Sequence, residues 1–198
     1  IVESDSHRKM ACGDRKAMAA IALLDPVLTV TQPAMVSACA GIDAIGHAVE
    51  AAVTTRHTPI SNLYAMEAFR LTSANFTRVL EAPDDLAARE AMLLGAAYAG
   101  IAIENSMLGA AHASANPLTA RHGLVHGHAV ALMLPHVLRF NREDPTARET
   151  YDHYRELLAR RGYAVLVTDV LGWGERRLPL EDLPQEVQER LAQCEEGS

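Results

Sequence analysis

From Pro33 onward, apolar residues return at intervals of three and four, the spacing that lays side chains along one flank of a helix. Met66, Phe69, Phe76 and Leu80 make one such stripe, and Ile42, Ile45 and Val49 another. With their flanking breakers these stripes predict helices over 33–54, 59–80, 84–104, 106–115, 125–141 and 145–161, Pro59, Pro83, Pro117 and Pro145 falling near the breaks. Ahead of Pro33 the pattern predicts two short extended runs, at 1–3 and 20–24, the second stopped by Asp25-Pro26. Two isolated strands do not make a stable sheet. After residue 161 the register changes to a strand-like run and then a last helix over 183–194. The expected organisation is therefore an edge and linker at 1–30, a helical domain at 31–161 and a divergent segment at 162–198, with no internal repeat.

Composition sharpens this to a mainly α fold. Aromatic residues make up only 5% of the 198 residues beside many alanines, which favours closely packed helices over a β-sandwich. A formal charge of −7 with scattered arginines leaves no footprint for nucleic acid. Cys12, Cys39 and Cys194 lack C-x-x-C spacing, so neither a disulfide framework nor a zinc knuckle is expected, and a reducing compartment suits them. No uninterrupted apolar run approaches the ~18 residues of a membrane span, and the N-terminal stretch lacks a signal peptide's apolar region. The expectation is a cytoplasmic protein without a membrane partner.

The polar positions carry the candidate chemistry. At about 100° per residue, Asp43, His47 and Glu50 cluster on a face of the first long helix well away from the Ile42, Ile45 and Val49 stripe. Asp43 and His47 thus stack one turn apart and can chelate one ion. With His112 and His126 they make one carboxylate and three imidazoles, a ligand set for a divalent metal that leaves a position open for substrate. Each residue alone has a plainer reading: a surface pair for Asp43 and His47, a buried hydrogen-bonded ring for His112. Glu50 suits either a hydrogen-bond partner for a ligand imidazole or a solvated carboxylate. His122 and His128 lie close enough to be confused with His126 but read as surface or supporting residues, and His136, turned away on the helix, as structural.

The stretches around these positions, TQPAMVSACAGIDAIGHAVEA, NSMLGAAHASANPL and HGLVHGHAVALMLPHVLRFN, closely resemble the metal-binding domain of the iron-containing (group III) alcohol dehydrogenases. The likeness runs over about 1–142 and includes HRKMACGDRKAMAAIALLDP, the stretch that leads from that family's cofactor domain into its helical domain. The cofactor domain itself is not represented, so a fragment or a shortened protein is expected. The resemblance implies a helical bundle with short N-terminal strands left from an adjoining α/β domain. It also implies that Asp43, His47, His112 and His126 hold Fe(II) or Zn(II) as a Lewis acid on the oxygen of a small alcohol or aldehyde.

Hydride would pass to NAD(P), held in the family by a glycine-rich turn that this sequence lacks. Gly172-Trp173-Gly174 reads as a plain turn instead. Lys9 lies where the family often has a lysine near the nicotinamide and is the cofactor-binding candidate. Asn116 replaces a further histidine that many members carry near cofactor or substrate. His126 and Asn116 are therefore the catalytic candidates. Stand-alone dehydrogenase activity is expected to be weak or absent, and the raw domain edge near Ile1 favours a homo-oligomer. Two other readings stay open: a metal-dependent hydrolase or lyase that needs no nicotinamide, and a metal-stabilised helical module without catalysis.

Overall fold

The computed structural model describes residues 19–159 together with Lys16. The strand candidate at 1–3, Lys9, Cys12, Cys194, the Gly172-Trp173-Gly174 turn and the expected last helix at 183–194 lie outside the described residues. A short 3-10 turn, Pro26–Thr29, precedes six helices: α1 (Ala34–Val53), α2 (Pro59–Glu81), α3 (Leu86–Glu104), α4 (Ala110–His122), α5 (His126–Asn141) and α6 (Pro145–Ala159). No strand occurs among the described residues. The 20–24 run has no ladder partner there and lies open to solvent, with Ile21 and Leu23 both 85% exposed.

Helix ends follow local chemistry. The Thr58 hydroxyl accepts from the Ser61 backbone N–H at 3.0 Å while the Ser61 hydroxyl accepts from that of Thr58 at 2.8 Å, a reciprocal cap with Pro59 in the first turn. Asp85 caps α3 through the Ala88 N–H at 3.1 Å, and Asp144 caps α6 through those of Thr146 and Ala147. Gly123 ends α4 at φ 66°, a left-handed conformation that a side chain would strain.

The fourth helix departs from the expected 106–115. Ser106 and Asn105 look like a helix start, but both side chains bond backwards, to the carbonyls of Ala102 at 2.7 Å and Ile101 at 2.9 Å, and so finish α3. The chain re-enters a helix only at Ala110 and passes through Pro117, which was expected to break it. Pro117 and Ala113, whose carbonyl loses its partner to the proline, are both exposed, so water can take the bond.

The described residues divide into two compact units, with the boundary between Leu134 and Pro135. In the first, α1, α2 and α3 pack on one another over a core dominated by alanines, among them Ala48, Ala51, Ala65, Ala68 and Ala99, with Phe69 filling the larger space. Small side chains let the helix axes approach closely. Arg89, buried on α3, donates to the Pro83 carbonyl and to that of Thr29 at 2.6 Å, fixing the 3-10 turn against α3. By length and composition α1 and α3 are each apolar enough to cross a membrane, which the lack of an uninterrupted run had not suggested. More than half of α1's apolar window is buried inside the protein. The second unit centres on buried Val137, Leu138, Ala147, Tyr151 and Tyr154, with Asn141 Nδ2 donating to the Tyr151 hydroxyl at 3.2 Å. Burial, with a smaller contribution from Tyr151, pushes the Tyr154 phenol well above its ordinary pKa.

Candidate metal centre

Three helices supply the site, whose residues all lie in the first unit. Asp43, His47 and Glu50 follow one another along α1, His112 lies in the first turn of α4, and His126 opens α5. Glycines set the spacing. A Cβ on Gly46 of α1 would stand 2.9 Å from Val130 Cγ1 of α5 and 3.5 Å from the His112 ring. A methyl on Gly127 would land on the Cys39 carbonyl. Here α4 and α5 lie against α1, and their histidines are carried in with them.

The donor atoms converge on Asp43. Its Oδ1 lies 3.1 Å from His112 Nε2 and 3.5 Å from His126 Nε2, and its Oδ2 lies 3.6 Å from His47 Nε2. One donor atom each from Asp43, His112 and His126 fall within 4.8 Å of one another. His47 stands beside this set rather than within it, its ring stacked on that of His112 with centroids 4.6 Å apart. The structure therefore gathers three of the four expected ligands around a common point and sets the fourth against the second carboxylate oxygen. No hydrogen bond or ion pair links His122, His128 or His136 to the cluster, and all three are exposed.

Glu50 resolves against the solvated alternative. It is 2% exposed, its Oε2 lies 2.5 Å from His112 Nδ1, and its Oε1 accepts the Ala111 backbone N–H at 2.6 Å. Sequence reasoning raised this role without choosing it. Gly109, whose missing side chain makes room for that carboxylate, went unnoticed. The cue was present in the run of small residues around His112.

Electrostatics tie the cluster together. Burial works against charge on His112, but hydrogen bonds to Asp43 and Glu50 and the charges of both outweigh it, raising its pKa above the ordinary 6.5. Burial likewise opposes ionisation of Asp43, yet the His112 hydrogen bond and the charges of His47, His112 and His126 pull its pKa below the ordinary 3.8. One ring gripped between two carboxylates, with more imidazoles turned to the same oxygens, is a place where positive charge is wanted. The donor set fits a divalent cation of borderline softness. Asn116 stands one turn past His112 on α4, its Oδ1 buried and without a hydrogen-bond partner among the described residues.

Comparison with known proteins accords with this geometry. The model of the family described as "Fe-containing alcohol dehydrogenase family, C-terminal" matches residues 37–169. The chain is 37% identical over 141 residues to the 1,3-propanediol dehydrogenase of Klebsiella pneumoniae, covering 71% of this chain and 36% of that protein. It is 34% identical over 158 residues to the NAD-dependent methanol dehydrogenase of Bacillus methanolicus, covering 80% and 41%. Among solved structures, 1,3-propanediol oxidoreductase superposes with a TM-score of 0.66 at 29% identity, over 85% of this chain and 41% of that one. An iron-containing alcohol dehydrogenase from Thermotoga maritima gives 0.65 at 28% identity, over 80% and 43%. The chain thus spans well under half the length of these relatives.

Proposed function

The chain belongs to the Fe-containing alcohol dehydrogenase family, and from that premise we propose that it is the metal-binding helical part of an NAD(P)-dependent alcohol dehydrogenase or aldehyde reductase. Asp43, His112 and His126 hold a divalent metal, Fe(II) or Zn(II), with His47 as the fourth ligand. The observation that carries this reading is the convergence of donors from α1, α4 and α5 to within 4.8 Å of one another.

When bound, such a metal supplies Lewis acidity to the oxygen of a small alcohol or aldehyde during hydride transfer to or from the nicotinamide. The protein's own residues do the rest. Among the ligands only Asp43 carries negative charge, the second carboxylate, Glu50, standing behind His112 and not in the ligand set, so the metal would keep Lewis acidity toward the substrate oxygen. His112 is buried and His126 half-buried, so the donor cluster lies at the edge of the protein interior. Asn116, one turn from His112, offers an amide in place of a titratable ring and so contributes hydrogen bonding without proton relay. NAD(P) contact falls to Lys9 and to a cofactor domain outside these residues, which is why turnover by this chain alone is expected to be weak or absent.

Cobalt(II) substitution tests the proposal without needing the cofactor. A short primary alcohol or aldehyde should shift the visible ligand-field bands of the cobalt-loaded chain. Bands that ignore both compounds, or metal-dependent turnover of activated esters with no nicotinamide, would count against it.

A further inference from the structure

Building on the metal site proposed above, we propose that Glu50 is its positioning residue: the carboxylate fixes a His112 proton on Nδ1 and joins the start of α4 to α1, so that Nε2 is the nitrogen left for the metal. The geometry is a two-donor grip. Oε1 accepts the Ala111 N–H at 2.6 Å and Oε2 faces His112 Nδ1 at 2.5 Å, each oxygen taking one donor. Both are short for N–H···O bonds, the direction in which a charged acceptor shortens them.

Glu50 also stands where α4 lacks a cap of its own. The residue before the helix is Gly109, which has no side chain to offer, and no side-chain capping bond forms there. The carboxylate from α1 fills that role from 61 positions away, at the end of a helix whose dipole favours negative charge. A Cβ on Gly109 would lie 2.8 Å from Oε1 and 3.2 Å from Cδ, so glycine is needed for the carboxylate to come this close. Its burial is compensated by the two donors.

A ligand imidazole binds metal through one nitrogen only if the proton sits on the other. With the Nδ1 proton committed to Glu50, Nε2 is the nitrogen that gives up its proton to a metal; in the metal-free chain that proton bridges to Asp43 Oδ1 at 3.1 Å while the ring is charged. A glutamine at position 50 has a single acceptor for two donors. If its oxygen keeps the Ala111 N–H, its amide group meets Nδ1, which drives the ring proton to Nε2 and into the ligand position. Turned over, it sets an amide against the Ala111 N–H and loosens α4.

Nitrogen-15 NMR of the His112 ring tests this directly, because it reads the proton's position with or without metal. In the parent chain the neutral ring should carry its proton on Nδ1; a proton on Nε2 overturns the proposal. Glu50→Gln should move the proton to Nε2 or free the first turn of α4 to exchange, with metal bound roughly 10–100-fold more weakly. Gly109→Ala keeps the carboxylate but displaces it, and should weaken metal binding in the same direction even if Glu50→Gln fails to fold. Unchanged tautomer, affinity and cobalt spectrum in both variants would refute the role of Glu50. Failure of the parent chain to take up metal would instead refute the metal site, leaving the tautomer measurement to decide on Glu50.

Discussion

Gly127, one residue past His126, faces the backbone of α1, and its replacement by alanine probes the spacing on which the site depends. The new Cβ would stand 2.6 Å from the Cys39 carbonyl carbon and 2.9 Å from its Cα. Ordinary carbon contact lies at about 3.5 Å, so the first turn of α5 must retreat by at least about 0.9 Å, and by more to clear the Cys39 carbonyl oxygen, which is nearer still. Backbone stands on one side of the clash and a buried helix on the other, and no flexible side-chain end is available to yield. Overpacking of this kind costs about 1–3 kcal/mol. Metal sites tolerate ligand displacements of only ~0.2 Å, and His126 rides on the turn that moves. Gly127→Ala should therefore lower the urea midpoint and weaken metal binding by at least tenfold, read by competition with a chromophoric chelator. Gly100→Ala is the control, because nothing lies within 4 Å of its Cβ in the interior of α3. It should stabilise by about 0.5–1 kcal/mol and leave metal binding alone. A Gly127→Ala chain with parental midpoint and affinity would show that the α1–α5 approach does not position His126.

Three further outcomes follow from the same geometry. Thr58→Ala removes half of the reciprocal cap on α2 and should cost about 1 kcal/mol, lowering the melting temperature by roughly 2–4 °C. In the metal-free chain, His112 is raised above 6.5, so its contribution to stability is full below that pH and lost as pH rises through its folded value; Asp43 is lowered below 3.8, so its contribution is full above that pH and lost as pH falls through its folded value. Urea midpoints should accordingly fall on the alkaline side of His112's titration. Apparent metal affinity should rise over that same interval, because metal and proton compete for Nε2; parallel rather than opposed trends would contradict the competition.

Helix positions were legible where local rules decide them. Thr58-Pro59 and Asp144-Pro145 mark starts by their own chemistry, and α2, α5 and α6 begin within a residue of the expected places. The start of α4 was not legible, because its first-turn N–H is met by Glu50 from another helix, while Ser106, which has the composition of a cap, bonds backwards to Ala102. Pro117 misled for a related reason: whether a proline breaks a helix depends on whether the freed carbonyl can reach water, and Ala113 is exposed. The polar face of Asp43, His47 and Glu50 could be placed from helical angle alone. Which of the neighbouring histidines joins it could not, since His126 and His128 differ only in which side of α5 meets α1. Glu50's burial was likewise hidden, because it depends on the room left by Gly109.

Metal stoichiometry measured on the parent chain and three variants bears most directly on the central claim. After incubation with zinc or cobalt and removal of excess, the parent and His128→Ala should each retain about one ion per chain, while Asp43→Ala and His112→Ala should each lose most of it. Equal retention in all four chains would contradict the assignment of the site.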